Sequence, residues 1–580
     1  VRVRALVTVL LLATAGWPPA AALPAEAADS GVATTPTPQL TAAYPNPVFD
    51  GDDGEFVVLD VPAGVNLSAY ELSDGEDTIE LPATDRAGEL ALAANASAAE
   101  LAGYDVLPVQ TMLSLSNAGE TIHLRRTNDS TVVDTLQYED ASEAVLQTPS
   151  GPKPVGQTTH RPATTGPANV TAFVLPDDSR PTVDALETAD DRILLAGYTL
   201  TSTRIRELLL DATARGVAVR VLLDGAPVGG DSPAQVRALD ELSAAGVDVR
   251  LIGGARARYA FHHAKYAVAD DDAIVVTENW KASGTGGHGN RGWGMVVHDE
   301  RFADALATVY RSDADWRGIQ HWPAVREPAS RDAGMPANDS YPRRFPARRF
   351  QVESATLAVT PDNAERVVLG FIGNATDSLR VQQVRLGDGT LQRALVDAAE
   401  RGVSVELLLS GKWYVRDENQ LLATCLNGYA DRAGVPLTVR VVEPRSRFGK
   451  VHAKVAVADG DRVLLGSLNW NQYALDRNRE VIVVADGDRV AEYYGRVFTA
   501  DWRGGAWRIP WSVLVTVAGA VLGAGWVLRR WIQFEPDEET AAAARERGRV
   551  WVDDADAAGS AVRDGGRGAE HAFRVDREES

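Results

Sequence analysis

Apolar and polar residues follow three different patterns along the chain. Over 38–168 the apolar runs are short and of β type, broken by turn residues: Glu55-Phe56-Val57-Val58-Leu59, Leu113-Ser114-Leu115, Ile122-His123-Leu124 and Val132-Val133-Asp134. No helical period runs through them, and they predict a small all-β sandwich. Further on, helical periods alternate with apolar strands, and the pattern occurs twice. Leu210-Asp211-Ala212-Thr213-Ala214-Arg215-Gly216-Val217 with its following strand corresponds to Val396-Asp397-Ala398-Ala399-Glu400-Arg401-Gly402-Val403. Ala245-Gly246-Val247 recurs as Ala433-Gly434-Val435, and both copies close alike, on Ala314-Asp315-Trp316 and Ala500-Asp501-Trp502. The duplication predicts two α/β units over 170–318 and 354–504, joined by the Pro/Arg-rich segment 319–353.

The ends carry the third pattern. Val1-Arg2-Val3-Arg4, the apolar run Ala5 to Ala15 and Ala25-Glu26-Ala27 predict a signal peptide over 1–27. The 20 uncharged residues of 509–528, followed by Arg529-Arg530, predict one transmembrane helix, with an acidic cytoplasmic tail over 535–580. The expected placement is a single-pass cell-membrane protein with its α/β units outside the cell.

Charge and cysteine narrow the function. The chain of 580 residues has 80 acidic against 58 basic residues, a net charge of −22. Only six of those 58 are lysine. This is the composition of proteins from salt-saturated cells, and it lacks the basic footprint of a nucleic-acid binder. Cys425 is the single cysteine, which excludes an intrachain disulfide and a cysteine-based metal centre. It reads as a small buried residue.

The candidate chemistry lies in the two α/β units. His263-Ala264-Lys265 with Asp270 and His452-Ala453-Lys454 with Asp459 both read His-x-Lys-x4-Asp, and together they use two of the six lysines. In an extended segment, residues two apart share a face, so each histidine projects beside its lysine. Lysine offers fixed charge and donors to a phosphate oxygen. Histidine can attack phosphorus or carry a proton near neutral pH. Two copies divide that labour, one histidine becoming a phosphohistidine while the other protonates the leaving group and then activates water. No metal and no cofactor is needed, because the two lysines meet the charge. The second copy continues Gly466-Ser467-Leu468-Asn469-Trp470, then Asn478-Arg479-Glu480. Ser467 and Asn469 can donate to phosphate oxygens, and Glu480 can hold a histidine in one tautomer.

These residues resemble the phospholipase D superfamily over about 335 residues, from the duplicated His-x-Lys-x4-Asp and the Gly-Ser-x-Asn that follows it. The resemblance implies two repeats packed as a pseudo-dimer with one phosphate site between them. It gives His263, Lys265, His452, Lys454 and Asn469 to that site, Ser467 in support, and a motif-holding role to Asp270 and Asp459. It favours His263 as the nucleophile, whereas Glu480, if it serves His452, argues the other way. The first copy departs from the pattern: it reads Val276-Thr277-Glu278-Asn279-Trp280, and Gly292 stands where the second copy has Glu480. Asn279 and Thr277 can still serve the phosphate. One histidine then lacks its carboxylate unless Glu278 or His288 takes the place; otherwise the site is degenerate and binds without turnover.

The region before the repeats contains, in order, Tyr44-Pro45-Asn46-Pro47, Gly54-Glu55-Phe56-Val57, Tyr70-Glu71-Leu72-Ser73-Asp74, Leu115-Ser116-Asn117-Ala118-Gly119-Glu120 and Val133-Asp134-Thr135-Leu136-Gln137-Tyr138. It resembles a lamin tail domain, which implies an immunoglobulin-like accessory module without catalytic residues. The expected substrate is a phospholipid, because the predicted span holds the repeats against lipid headgroups. An extracellular nuclease and a surface adhesion protein are the alternatives. Both repeats lie in one chain, so a monomer is expected.

Overall fold

The computed structural model describes residues 36–47, 54–253, 257–285, 289–316, 318–322, 324–326, 341, 343–387, 389–443, 447–503 and 511–532. The expected signal peptide, the acidic tail and His288 lie outside them. The chain divides into two compact units, Val1–Gly505 and Ala506–Ser580.

In the first unit, the N-terminal part is a two-sheet sandwich. One sheet orders Gly151–Pro154, Val145–Thr148, Gln39–Tyr44, Phe56–Val61, Gly88–Ala93 and Asp105–Pro108; the other orders Thr78–Glu80, Tyr70–Ser73, Glu120–Arg126 and Val132–Tyr138. Alternation fixes the register: Val57, Leu59 and Val61 face Leu124, Leu136 and Tyr138 across the inner core, while Phe56 and Val58 pack outward with Tyr44 and the helix residue Ala98.

Each α/β repeat is built on one mixed sheet. In repeat 1 the parallel strands Arg192–Gly197, Ala218–Asp224 and Asp248–Ile252 continue into the antiparallel strands Tyr266–Ala269, Asp272–Val276, Gly292–His298 and Ala168–Leu175. Repeat 2 repeats this with Ser378–Gln383, Ser404–Ser410, Leu437–Val442, Val455–Ala458, Arg462–Gly466, Val481–Asp486 and Ser354–Val359. The segment between the repeats lends Ile319–His321 and Arg348–Val352 to the first sheet, and Ala163–Thr165 adds to the second.

Alternating strand residues split between three cores. Tyr266 and Val268, with Val455 and Val457, enter a central core shared by both repeats and packed by the helices Glu300–Ala314 and Asp488–Trp502. Ala267 and Ala269 face the outer helices of repeat 1, and Ala456 and Ala458 those of repeat 2. The shared core places the ends of the two sheets side by side. Cys425, expected to be buried, is exposed. On the helix Arg416–Ala433 it shares the solvent face with Leu421, while Asn419, Ala423, Leu426 and Ala430 form the buried stripe.

The second unit contains one described helix, Trp511–Trp531. The expected transmembrane helix over 509–528 is corrected here: among the described residues no helix is long and apolar enough to cross a membrane. Ser512, Thr516, Gly519, Gly523 and Gly525 dilute the apolar side chains, and Arg529 and Arg530 fill the last turn. A span needs about 20 predominantly apolar residues. The single-pass cell-membrane placement, which rested on that helix, falls with it.

Candidate active site

The two motifs occupy equivalent places at the C-terminal ends of the parallel strands. His263, Ala264 and Lys265 lie between the short strand Phe261–His262 and the strand Tyr266–Ala269; His452, Ala453 and Lys454 lie between Val451 and the strand Val455–Ala458. Ala264 and Ala453 point into the central core, so the flanking histidine and lysine point the other way, toward the junction of the repeats. Each repeat also holds the other's motif through the backbone. The His263 N–H donates to the Arg479 carbonyl at 3.0 Å, and the His452 N–H to the Arg291 carbonyl at 3.0 Å. Phe261–His262 pairs with Asn478–Arg479, and Val451 with Arg291, in parallel bridges.

The carboxylates cross as well. Glu480 of repeat 2 accepts from Nδ1 of His263 of repeat 1 at 2.8 Å, and Glu278 of repeat 1 accepts from Nδ1 of His452 of repeat 2 at 2.9 Å. The acceptor at Nδ1 assigns the proton there and leaves each Nε2 with its lone pair. Burial pushes both imidazoles down, His263 to about 4 and His452 to about 3, against the pull of the carboxylates. Both are neutral, and each side chain keeps only 15% of its surface exposed.

Gly292 is explained by the same geometry. A Cβ there would stand 2.4 Å from Cγ of Glu278. Thr277 matches Ser467, since the Trp293 N–H donates to the hydroxyl of Thr277 as that of Val481 does to Ser467. In this register Glu278 occupies the place of Leu468, and Gly292 the place of Glu480. The carboxylate of repeat 1 has moved to the neighbouring strand end, and the vacated position has become glycine. Asn290 donates to Oε2 of Glu278 at 2.8 Å, and its counterpart Asn478 donates to Glu480 at 3.4 Å. Burial raises the Glu278 pKa, but the field of His452 and Lys454 and its hydrogen bonds outweigh burial and leave it lowered.

Both lysines are fully buried. Lys265 donates to the His263 carbonyl, and Lys454 to the His452 carbonyl at 2.8 Å with Nζ 3.5 Å from both ring nitrogens of His452. Burial lowers Lys265 to about 7 and Lys454 to about 8, opposed by Glu480 and Glu278. Two poised cations and two neutral imidazoles therefore converge where an anionic group would lie between the repeats.

The remaining expected residues divide. Asn279 and Asn469 occupy equivalent half-buried positions, and Oδ1 of Asn279 has no partner. Thr277 and Ser467 are buried, with their hydroxyls engaged by strand backbone. Asp270 and Asp459 are not brought to the histidines. Asp270 accepts from the N–H groups of Asp190, Asp191 and Arg192, and Asp459 from those of Thr376, Asp377 and Ser378. His262, Trp280 and Trp470 are core residues; the Trp280 indole donates to the Ala196 carbonyl.

Sequence reasoning missed the two arginines behind the motifs. Arg291 is buried against Asp177 at 2.6 Å and Asp501 at 2.9 Å; Arg479 is buried against Asp313 at 2.9 Å and Asp362 at 2.7 Å, and also meets the Tyr259 hydroxyl. The repeated Asn-Arg dipeptide was the available signal. Arg479 also anchors the segment after the sandwich, since Thr158 bonds Asp362 at 2.5 Å.

The mouth is aromatic on both sides and differs between them. On the repeat 1 side Tyr198 lies edge-on to His263 with centroids 5.0 Å apart, then contacts Phe261, which contacts Tyr473. The Tyr198 hydroxyl accepts from the N–H of Val228, which is 80% exposed. On the repeat 2 side stand Trp413, 77% exposed, and Tyr414, beside Lys412 and Lys450.

Both repeats match the family described as "Cardiolipin synthase, PLD-like domain", over residues 182–314 and 368–502. A mitochondrial cardiolipin hydrolase of Xenopus laevis is 29% identical over 149 residues, 26% of this chain and 65% of that protein. A phospholipase D of Rickettsia conorii is 26% identical over 140 residues, 24% of this chain and 64% of that one. The alignments thus span less than two thirds of these relatives. The crystal structure of phosphatidylserine synthase from Haemophilus influenzae Rd KW20 superposes with a TM-score of 0.44 at 13% identity, covering 59% of this chain and 86% of that one.

Proposed function

We propose that this phospholipase D-like phosphodiesterase works through a covalent phosphohistidine, without a metal ion, on a phospholipid. The observation that carries the mechanism is the pair of crossed bonds, His263–Glu480 and His452–Glu278, which engage both Nδ1 atoms and leave both Nε2 lone pairs available beside two buried lysines. In this reading Nε2 of His263 attacks phosphorus: a P–N bond forms and the P–O bond to the leaving alcohol breaks. His452 gives its proton to that oxygen. The proton is on His452 only once the anionic phosphate is bound, because negative charge raises an imidazole pKa that burial alone holds low. Neutral His452 then takes a proton from water, which attacks phosphorus, breaks the P–N bond and frees His263. Lys265 and Lys454 hold the phosphate oxygens throughout, with Asn279 and Asn469 as further donors.

A lipid substrate is supported by the exposed apolar side chains on both lips, Val228 and Tyr473 on one and Trp413 on the other. The net charge of −22 opposes a long polyanion. A metal-independent nuclease is the second reading, favoured by the aromatic rings beside Lys412 and Lys450, a composition suited to stacking bases. The degenerate-site reading loses its ground, since Glu278 supplies the carboxylate that Gly292 lacks. The test offers the purified chain, in EDTA, a short-chain phospholipid, bis-p-nitrophenyl phosphate and single-stranded DNA. Headgroup release together with chromogenic turnover is expected. Cleavage of DNA without headgroup release would replace lipid by nucleic acid, and turnover only after metal addition would remove the mechanism.

A further inference from the structure

The lip on the His452 side carries two cations that the mechanism does not use. Lys412 follows the strand Ser404–Ser410, and its Nζ is 3.5 Å from the Gly449 carbonyl. Lys450 lies two residues before His452, with Nζ 3.4 Å from the Tyr414 hydroxyl. Each lysine thus reaches the backbone neighbourhood of the other: Lys412 meets Gly449, next to Lys450, and Lys450 meets Tyr414, two residues after Lys412. Among the described residues neither forms an ion pair, although the chain holds 80 acidic residues; the ion pairs among those residues use arginine or histidine. The nearby carboxylate of Glu443 is taken by Arg416. An ammonium has three donors, and each of these makes one long bond, so donors remain for a ligand.

The fold does not ask for lysine here. Lys412 has Ala226 as its counterpart in repeat 1: the Lys412 N–H donates to Ser410 as that of Ala226 does to Asp224, and Gly411 and Gly225 make the same bond to the third parallel strand. The counterpart of Lys450, two residues before the other histidine, is Phe261, packed among Tyr198 and Tyr473. At these two positions one lip of the duplicated site thus carries cations beside its aromatic rings, and the other carries Ala226 and Phe261. Lys450 is also near enough to act through space on His452 and Lys454.

We infer that Lys412 and Lys450 form a second anion subsite, which takes a second phosphate group of the substrate on the His452 side of the scissile phosphate. Two extended residues advance about 7 Å, so the second phosphate is separated from the first by a linker of about that length. The inference rests on the phospholipid reading for the source of that phosphate, namely a lipid with two phosphates, but the subsite itself does not.

The experiment measures binding and turnover separately, on the full chain. By calorimetry, 1,3-propanediol bisphosphate is expected to bind at least tenfold tighter than propyl phosphate. In Lys412→Gln/Lys450→Gln that preference falls toward one, and Lys412→Arg/Lys450→Arg restores it. A preference near one in the unaltered chain, or one that survives the Gln pair, overturns the subsite, whether or not any substrate turns over. For the source, kcat/KM is compared between short-chain lipids with two phosphates and with one, and between dinucleotides with and without a 5′-phosphate. A lysine-dependent ratio of tenfold or more in the lipid arm supports the proposal; the same ratio confined to the nucleotide arm keeps the subsite and overturns the lipid source.

Discussion

Gly292 and Glu278 explain one another. Compared with Leu468 and Glu480 of repeat 2, the carboxylate of repeat 1 stands on the neighbouring strand end and a glycine takes its former place, and His452 keeps its carboxylate bond at 2.9 Å. Gly292→Ala should therefore press on Glu278, costing about 1–3 kcal/mol by overpacking, and should lower kcat because the displaced carboxylate leaves His452. Glu278→Gln keeps the volume but not the charge, and a loss of about 10²–10⁴ in kcat is expected, as for other histidines that lose their orienting carboxylate. Glu278→Leu/Gly292→Glu rebuilds repeat 1 on the pattern of Leu468 and Glu480 and should recover activity relative to Glu278→Leu alone. Steady-state kinetics with thermal melts on the same samples separates the two effects; a double variant no better than the single one would contradict the relocation of the carboxylate.

Proton affinities at the same residues set a pH profile. The histidine pKa values are lowered, so His263 stays neutral as pH falls until about 4. The lysine pKa values are also lowered, so their charge is lost as pH rises through about 7 for Lys265 and about 8 for Lys454. The free-enzyme profile, kcat/KM against pH, should fall on the alkaline side in that window and stay high well into the acid range. An alkaline limb near the ordinary lysine value would show that burial does not tune these groups.

At the scale of elements, the motif aspartates do a different job from the histidines seven residues before them. Asp270 and Asp459 sit at positive φ, 51° and 52°, and each carboxylate gathers three backbone N–H groups from the turn that opens a parallel strand. They lock the strand that follows each motif to its neighbour. Asp459→Ala should cost about 2–4 kcal/mol, because three donors lose a charged acceptor, while the folded fraction keeps most of its kcat. Denaturant melts and active-site-titrated rates on one preparation check this; a large kcat loss at unchanged stability would put Asp459 in the chemistry.

The repeated helix-glycine-strand pattern made both α/β units legible, since apolar periodicity and Gly216 or Gly402 mark their turns. The sandwich was legible from its alternating runs. What the sequence hid was partnership across the repeats. Glu480 lies 28 residues from His452 in sequence and reads as its partner, yet it serves His263. Arg291 and Arg479 look like surface charges, because apolar patterning carries no signal for a buried ion pair. The uncharged run at 509–528 gave too much: its length matched a span, but glycines and the terminal arginines do not make a helix apolar enough.

At the scale of the molecule, the two repeats form one site that neither holds alone. Each histidine takes its carboxylate and its backbone acceptor from the other repeat, and the buried clusters of Arg291 and Arg479 pin the junction from behind. Asp313→Ala, which leaves Arg479 under-paired in the core, should destabilise by about 3–5 kcal/mol and lower activity through misplacement of Glu480; Arg479→Met/Asp313→Leu should recover stability more than activity. Thermal melts of the two variants beside their rates decide this, and equal recovery of both would detach the cluster from the site.

The central claim is that two inequivalent histidines share one covalent cycle. Its most direct measurement is peptide mapping, under alkaline conditions that preserve a P–N bond, of phosphoenzyme trapped during turnover of a ³²P-labelled phosphodiester, in the unaltered chain, His263→Ala and His452→Ala. The account predicts at most one label per chain, on His263, absent from His263→Ala and released slowly in His452→Ala because no base activates water. Label trapped in both single variants, or on neither histidine in a chain that turns over, would contradict it.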